Sequence, residues 1–174
     1  FSVHVPEMLY RWAIHGGSTG IGKQERVMET SRGVLQRHLA RCGVEGTVHD
    51  GPSFNLFDTR YPLRPGLKVA IVIPTKNHGE LLRQCIDSIR ATVRAVDYDI
   101  CVVDHESDEP ATLEYLASLA GTATVLRHQG PFNFSAINNR AIAQLPPGYS
   151  HYLLCNNDIQ AIDAGWLERM LELG

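Results

Sequence analysis

The 174-residue chain has no apolar run near the ~20 residues a membrane-spanning helix needs; its longest, such as VAIVI at 69–73, have the length of a strand. Nothing at its start has the charged, apolar and small-residue order of a secretory leader. It lacks a dominant charge: 16 Lys and Arg against 19 Asp and Glu, mixed along the chain, give −3. That leaves no extended basic surface for a nucleic-acid backbone and no polybasic membrane anchor, so nucleic acid is not an expected partner. Cysteines are few: Cys42, Cys85, Cys101 and Cys155 stand far apart without a CxxC pair, and the eight histidines show neither HxxxH nor HExxH spacing. A zinc site built by the protein is therefore not expected, and the thiols are read as reduced and mostly buried. These absences point to a soluble, cytoplasmic chain. The start at Phe1 rather than Met, and the stop at Gly174 directly after a helical pattern, lead us to expect an excised fragment.

What is present divides near the YPLRPG punctuation at 61–66, and the expected organisation is an N-terminal extension over 1–65 and a domain over 66–174. In the extension, HGGSTGIGK at 15–23 tempts two phosphate-binding readings. Gly17, Gly22 and Lys23 fit GxxxxGK, but Gln24 stands where Ser or Thr must reach Mg²⁺; Gly16, Gly20 and Gly22 fit a dehydrogenase GxxxGxG turn. Either needs a buried strand just upstream, and MLYRWAIH has no β-branched run. A turn ahead of a helix is the better reading, with an NAD- or phosphate-binding Gly16–Lys23 loop as the alternative. The spacing of Val27, Met28, Val34, Leu35, Leu39 and Cys42 predicts a helix over 24–42, followed by short strands in GTVH and FNLFDTRY.

After residue 66 strand and helix patterns alternate. Strands are predicted over 69–73, 98–103, 123–127 and 149–155, and helices over 80–93, 110–120, 134–145 and a last one, capped by Asp163, carrying Trp166, Leu167, Met170 and Leu171. Such alternation implies right-handed crossovers and an α/β doubly wound, mostly parallel sheet. If the strands lie in the order 3-2-1-4, the switch point falls between the first and fourth. Pro74, Thr75 and Asn77 then lie beside Asn156, Asn157 and Asp158, with Asp104 one strand further, converging on one crevice. The loop after the first strand, PTKNHGE, lacks GxGxxG, and DHESDE at 104–109 is acidic throughout. This favours a nucleotide held by side chains and a metal over NAD.

VAIVIPTKN at 69–77, VVDHESDEPATLEYL at 102–116, PFNFSAINNRAI at 131–142 and YLLCNND followed by WLERM at 166–170 form an ordered set that resembles family 2 glycosyltransferases of the GT-A fold. The third and fourth motifs are closest to a bacterial subgroup of O-antigen or rhamnosyl transferases, in which NND replaces the Asp-x-Asp metal motif. The resemblance implies a Rossmann-like GT-A nucleotide-binding half-domain. It implies that Pro74, Thr75 and Asn77 line the nucleoside pocket and that Asp104 accepts a hydrogen bond from the base. Glu106, Asn138, Arg140, Asn156 and Asn157 join the nucleotide-binding set, and Asp158 binds Mg²⁺ or Mn²⁺ on the donor diphosphate. It further implies a nucleotide-sugar donor, a glycan or lipid-linked acceptor, inversion, and peripheral association of the full-length protein with the cytoplasmic face of the inner membrane. His105 and Glu106 stand where the family often has Asn and Gly. The catalytic base is expected beyond Gly174, so this stretch alone is expected to bind nucleotide weakly without turnover. A catalytically silent binding domain on the same sheet is the remaining alternative.

Overall fold

The computed structural model describes Arg11, Ala13, His15 and residues 23–173. The Gly16–Lys23 loop, Lys23 aside, lies outside the described residues. The chain forms two compact units that meet in sequence between Pro62 and Leu63, three residues ahead of the expected break.

In the first unit, helix α1 (Gln24–Arg41) accompanies an antiparallel hairpin of β1 (Thr47–Asp50) and β2 (Phe57–Arg60). Polar side chains tie helix to hairpin. Both Asp50 carboxylate oxygens accept from Arg32 at 2.7 Å. The Gln36 amide donates to Gly46 O at 2.7 Å and accepts from Val48 N at 3.0 Å.

The second unit begins with β3 (Lys68–Thr75), a β-branched run whose residues Val69 to Ile73 are all buried. Burial on both faces is what a central strand of a parallel sheet requires. There follow α2 (Gly79–Thr92), β4 (Asp97–His105), α3 (Pro110–Ser118), β5 (Thr124–His128), α4 (Phe134–Gln144), β6 (His151–Leu154) and α5 (Trp166–Leu171). The strands lie in the order β5-β4-β3-β6, all parallel, which is the order expected from the sequence. Strand alternation divides the core. Val69, Ile71, Ile73, Ile100 and Val102 pack against α2 and α3, whereas Val72, Cys101 and Val103 pack with Ile137 and Ala141 of α4.

Helix α2 starts without a side-chain cap of its own. Its orphan donors are satisfied from the β4–α3 segment: His78 N donates to Glu109 Oε2 at 3.0 Å and Gly79 N to Thr112 Oγ1 at 2.9 Å. A Cβ at Gly79 would stand 3.0 Å from Thr112 Cα, so glycine is what permits this approach. Helix α5 departs from expectation. Asp163 does not cap it; Gly165, with φ of 83°, occupies the N-cap. The helix is fixed from its side, by a Trp166 Nε1 bond to Thr92 Oγ1 at 2.9 Å and by Glu168 Oε1, which accepts from Arg94 N at 3.1 Å and Ala95 N at 2.8 Å.

Glu168 is 8% exposed and its Oε2 has no partner among the described residues. Desolvation pushes its pKa up, but the backbone N–H donors of Ala95, Glu168 and Arg94 prevail and hold it below the usual glutamate value. A depressed folded pKa means the stabilisation is present above the unfolded value and lost as pH falls through the folded one. Urea unfolding is expected to show Glu168→Ala destabilised by about 1–3 kcal/mol at neutral pH. Below the usual glutamate pKa the gap between the two proteins is expected to narrow.

Candidate functional site

The switch point lies where β3 and β6 end side by side. Cys155 N extends the pairing to Val72 O at 2.9 Å, after which the chain leaves the sheet as Asn156, Asn157 and Asp158. Asn157 Nδ2 donates to Thr75 Oγ1 at 2.9 Å, and Thr75 Oγ1 donates to Asn77 O at 3.2 Å. The two strand ends are therefore tied by side chains beyond their last ladder bonds.

Asn77 has φ of 56°, and His78 after it has φ of 55°. Asn is among the few non-glycine residues that enter this region readily. Both ends of its amide are engaged: Oδ1 accepts from Asp108 N at 2.9 Å and Glu109 N at 3.1 Å, and Nδ2 donates one hydrogen to Asp108 Oδ1 at 2.8 Å. Asn77 N donates to Ser107 Oγ at 2.8 Å. Asn77 is thus a clamp between the loops after β3 and β4.

Alternation along β4 separates Asp104 from His105. Asp104, only 2% exposed, follows Ile100 and Val102 onto the α3 side, and its Oδ1 accepts from Ser107 N at 3.1 Å. There, with Arg127, it borders a cavity of ≈ 360 Å³ whose other walls are apolar, Leu113, Leu116 and Val125 among them. On the opposite side a second cavity of ≈ 240 Å³ is bounded by Pro74, Thr75, Asn156 and Asn157 from the strand ends and by His105, Phe132 and Phe134. Two openings flank the strand ends: Pro74, Thr75, Asn156 and Asn157 line one, and Asp104 lines the other.

The remaining predicted residues are distributed around these openings. Glu106, with φ of 57°, accepts from Gly130 N at 3.4 Å. Asn138 is buried on α4 and donates to Phe134 O at 2.8 Å, and its Oδ1 has no partner among the described residues. Arg140 is exposed on α4 and lines neither cavity. Asp158 is exposed and has no hydrogen bond or ion pair among the described residues, so its carboxylate is free to take a ligand. Beneath it, the thiols of Cys85 and Cys155 lie 3.6 and 3.3 Å from Asn156 O. Their mutual hydrogen bond pulls Cys85 below and pushes Cys155 above the usual thiol value.

His105, Phe132 and Phe134 line the second cavity although none of them is among the site residues expected from the sequence. The expected strand end at Val103 left His105 outside the strand, and the phenylalanines stand between a Gly-Pro turn and a helix start. His105 Nε2 lies 2.8 Å from Gly130 O. A carbonyl oxygen only accepts, so Nε2 carries the proton and, in the neutral ring, Nδ1 is the lone-pair nitrogen.

Among the described residues no group of three His, Cys, Asp or Glu could hold a metal by itself. The donors at the β6 end are all oxygen: the Asp158 carboxylate and the neighbouring asparagine carbonyls. That set suits a hard cation such as Mg²⁺ or Mn²⁺ sharing its remaining ligands with a diphosphate.

Strand order and the opening at the switch point define a doubly wound α/β domain, consistent with the GT-A fold. The profile of glycosyl transferase family 2 matches residues 70–173, and the chain belongs to that family. An uncharacterized Sinorhizobium fredii protein, y4gI, is 33% identical over 98% of this chain and 19% of its own length. The O-antigen biosynthesis protein RfbC of Myxococcus xanthus is 32% identical over 97% of this chain and 13% of its own. The chain thus spans less than a fifth of either relative. Among solved structures, residues 1–349 of S. aureus TarS match 60% of this chain and 31% of that one, at 18% identity and a TM-score of 0.46.

The clamp generates a prediction. Asn77→Gly keeps the backbone accessible and removes only the side-chain bonds, so chemical denaturation is expected to show a loss of about 1–3 kcal/mol. Asn77→Ala is expected to lose about 1 kcal/mol more, because alanine is strained at this φ.

Proposed function

We propose that this chain is the donor-binding part of a glycosyltransferase that moves a sugar from a nucleoside-diphosphate donor to a glycan or lipid-linked acceptor, with inversion. The observation that carries the reading is the switch point itself: two strand ends locked by Asn157 and Thr75, with the Asp158 carboxylate left unpaired beside them. Family membership and the name of the Myxococcus relative support assembly of bacterial surface polysaccharide as the setting. Among the described residues no helix is long and apolar enough to cross a membrane. In this reading the full-length protein would work in the cytoplasm, with peripheral contact at the inner membrane where a lipid-linked acceptor would be met.

Thr75, Asn156 and Asn157 present hydroxyl and amide groups to the ribose and diphosphate. Asn77 acts by holding the loop, and Asp104 would reach a base only from the α3 side. Asp158 would hold Mg²⁺ or Mn²⁺. When bound, such an ion neutralises the charge that grows on the departing diphosphate.

Thermal denaturation with a panel of nucleoside diphosphates, with and without Mn²⁺, tests this. A rise in Tm that requires Mn²⁺ and disappears in Asp158→Ala is expected. Stabilisation by NAD alone, or a metal response unchanged in Asp158→Ala, would overturn the reading.

A further inference from the structure

Charge that is nearly balanced over the whole chain is segregated on α1. From Lys23 to Arg41 five Lys or Arg stand against two Glu, although the chain as a whole carries −3. The helix is held from one side. Met28, Arg32 and both acids, Glu25 and Glu29, border a cavity shared with the turn at 50–54, and Gln36 reaches Gly46 and Val48 of the hairpin.

Successive helical residues turn by about 100°, so Arg26, Thr30, Val34, Arg37 and Arg41 fall within about a quarter of the circumference, on the side turned away from that cavity. Arg26, Arg37 and Arg41 are exposed and form no hydrogen bond or ion pair among the described residues. Val34 lies between them, 48% exposed, and no residue of α1 is buried. At the start of this face Lys23, Arg26, Val27, Thr30 and Ser31 line an opening of ≈ 350 Å³ to which the described residues bring cations and hydroxyls and no carboxylate. Composition argues against a polybasic anchor written as a run. The helix assembles a basic face instead, from residues three or four apart.

We propose that this face of α1 docks the protein on a bilayer containing anionic phospholipid, the helix lying in the plane of the headgroups with its arginines on phosphates and Val34 toward the acyl boundary. The inference rests on the reading above that the acceptor is lipid-linked, and it names the surface that meets the membrane. Guanidinium forks match phosphate oxygens while their stems lie along apolar surface, so arginine and valine on one face suit a headgroup layer. A nucleic-acid backbone offers nothing apolar to an exposed valine set among cations. Because the chain is negative overall, a negative leaflet repels its other surfaces, and the segregated charge fixes which side approaches.

Co-sedimentation of the full chain with phosphatidylcholine vesicles, with and without phosphatidylglycerol, tests the assignment. Binding is expected only with phosphatidylglycerol, and is expected to be lost at about 1 M salt, where the Debye length falls to ~3 Å. Arg37→Gln is expected to weaken it about fivefold, and the triple variant Arg26→Gln, Arg37→Gln, Arg41→Gln on the order of a hundredfold. Arg140→Gln, which removes the same charge from α4, should leave it unchanged, and Val34→Ser should weaken it. All these variants are expected to keep the parent Tm, which serves as the folding control. Failure of the parent to bind phosphatidylglycerol vesicles, undiminished binding by the triple variant, or binding to a DNA oligonucleotide but not to vesicles would overturn the docking face. In each case the donor reading stands or falls separately, on the Mn²⁺-dependent rise in Tm with nucleoside diphosphate.

Discussion

The second unit depends on one constraint: β3 is buried on both faces, and every backbone N–H and C=O along it must find a partner. A buried unpaired group costs as much as a lost hydrogen bond, so β3 is obliged to pair on both edges. It does so with β4 on one side, over Lys68 to Thr75, and with β6 on the other, over Val69 to Val72. The two ladders are unequal. On the β4 side pairing runs to Thr75, whereas the β6 side ends with the Cys155 bond to Val72. The last residues of β3 are left to side chains, and Asn157 and Thr75 provide the bond. The opening beside them is a consequence of the shorter ladder.

The same constraint orders the loops. Asn77 and His78 adopt positive φ so that the chain can turn from β3 into α2 while its donors reach Ser107, Glu109 and Thr112. Three segments distant in sequence are thereby fixed to each other around the switch point. Asp158 stands exposed just beyond this tied strand end, with no partner among the described residues.

Much of this was legible beforehand. Continuous β-branched runs ended by Pro74 and flanked by helical stripes require a parallel sheet, and the crossover rule then leaves few orders. The order across the sheet, the elements and the switch point follow from that reasoning. What could not be read was side-chain direction at the strand ends. The second strand was expected to stop at Val103, but β4 runs on to His105, so Asp104 and His105 are strand residues and face opposite sides. Asn77 looked like a ligand-facing polar residue, and its engagement with Asp108 and Glu109 depends on a turn geometry that spacing does not reveal. The Asp163 cap failed for a related reason: α5 is held by Thr92, Arg94 and Ala95, partners more than 70 residues away in the chain.

The central claim is that the β3–β6 switch point is where a diphosphate and a divalent cation meet this chain. Paramagnetic broadening of backbone amide resonances by substoichiometric Mn²⁺, in the presence of a nucleoside diphosphate, tests it most directly. The account predicts losses centred on Asn156, Asn157 and Asp158 and extending to Thr75 and Lys76, with α1 and the β1–β2 hairpin untouched. Broadening centred on the Asp50 hairpin or another carboxylate, with residues 156–158 unaffected, would contradict it.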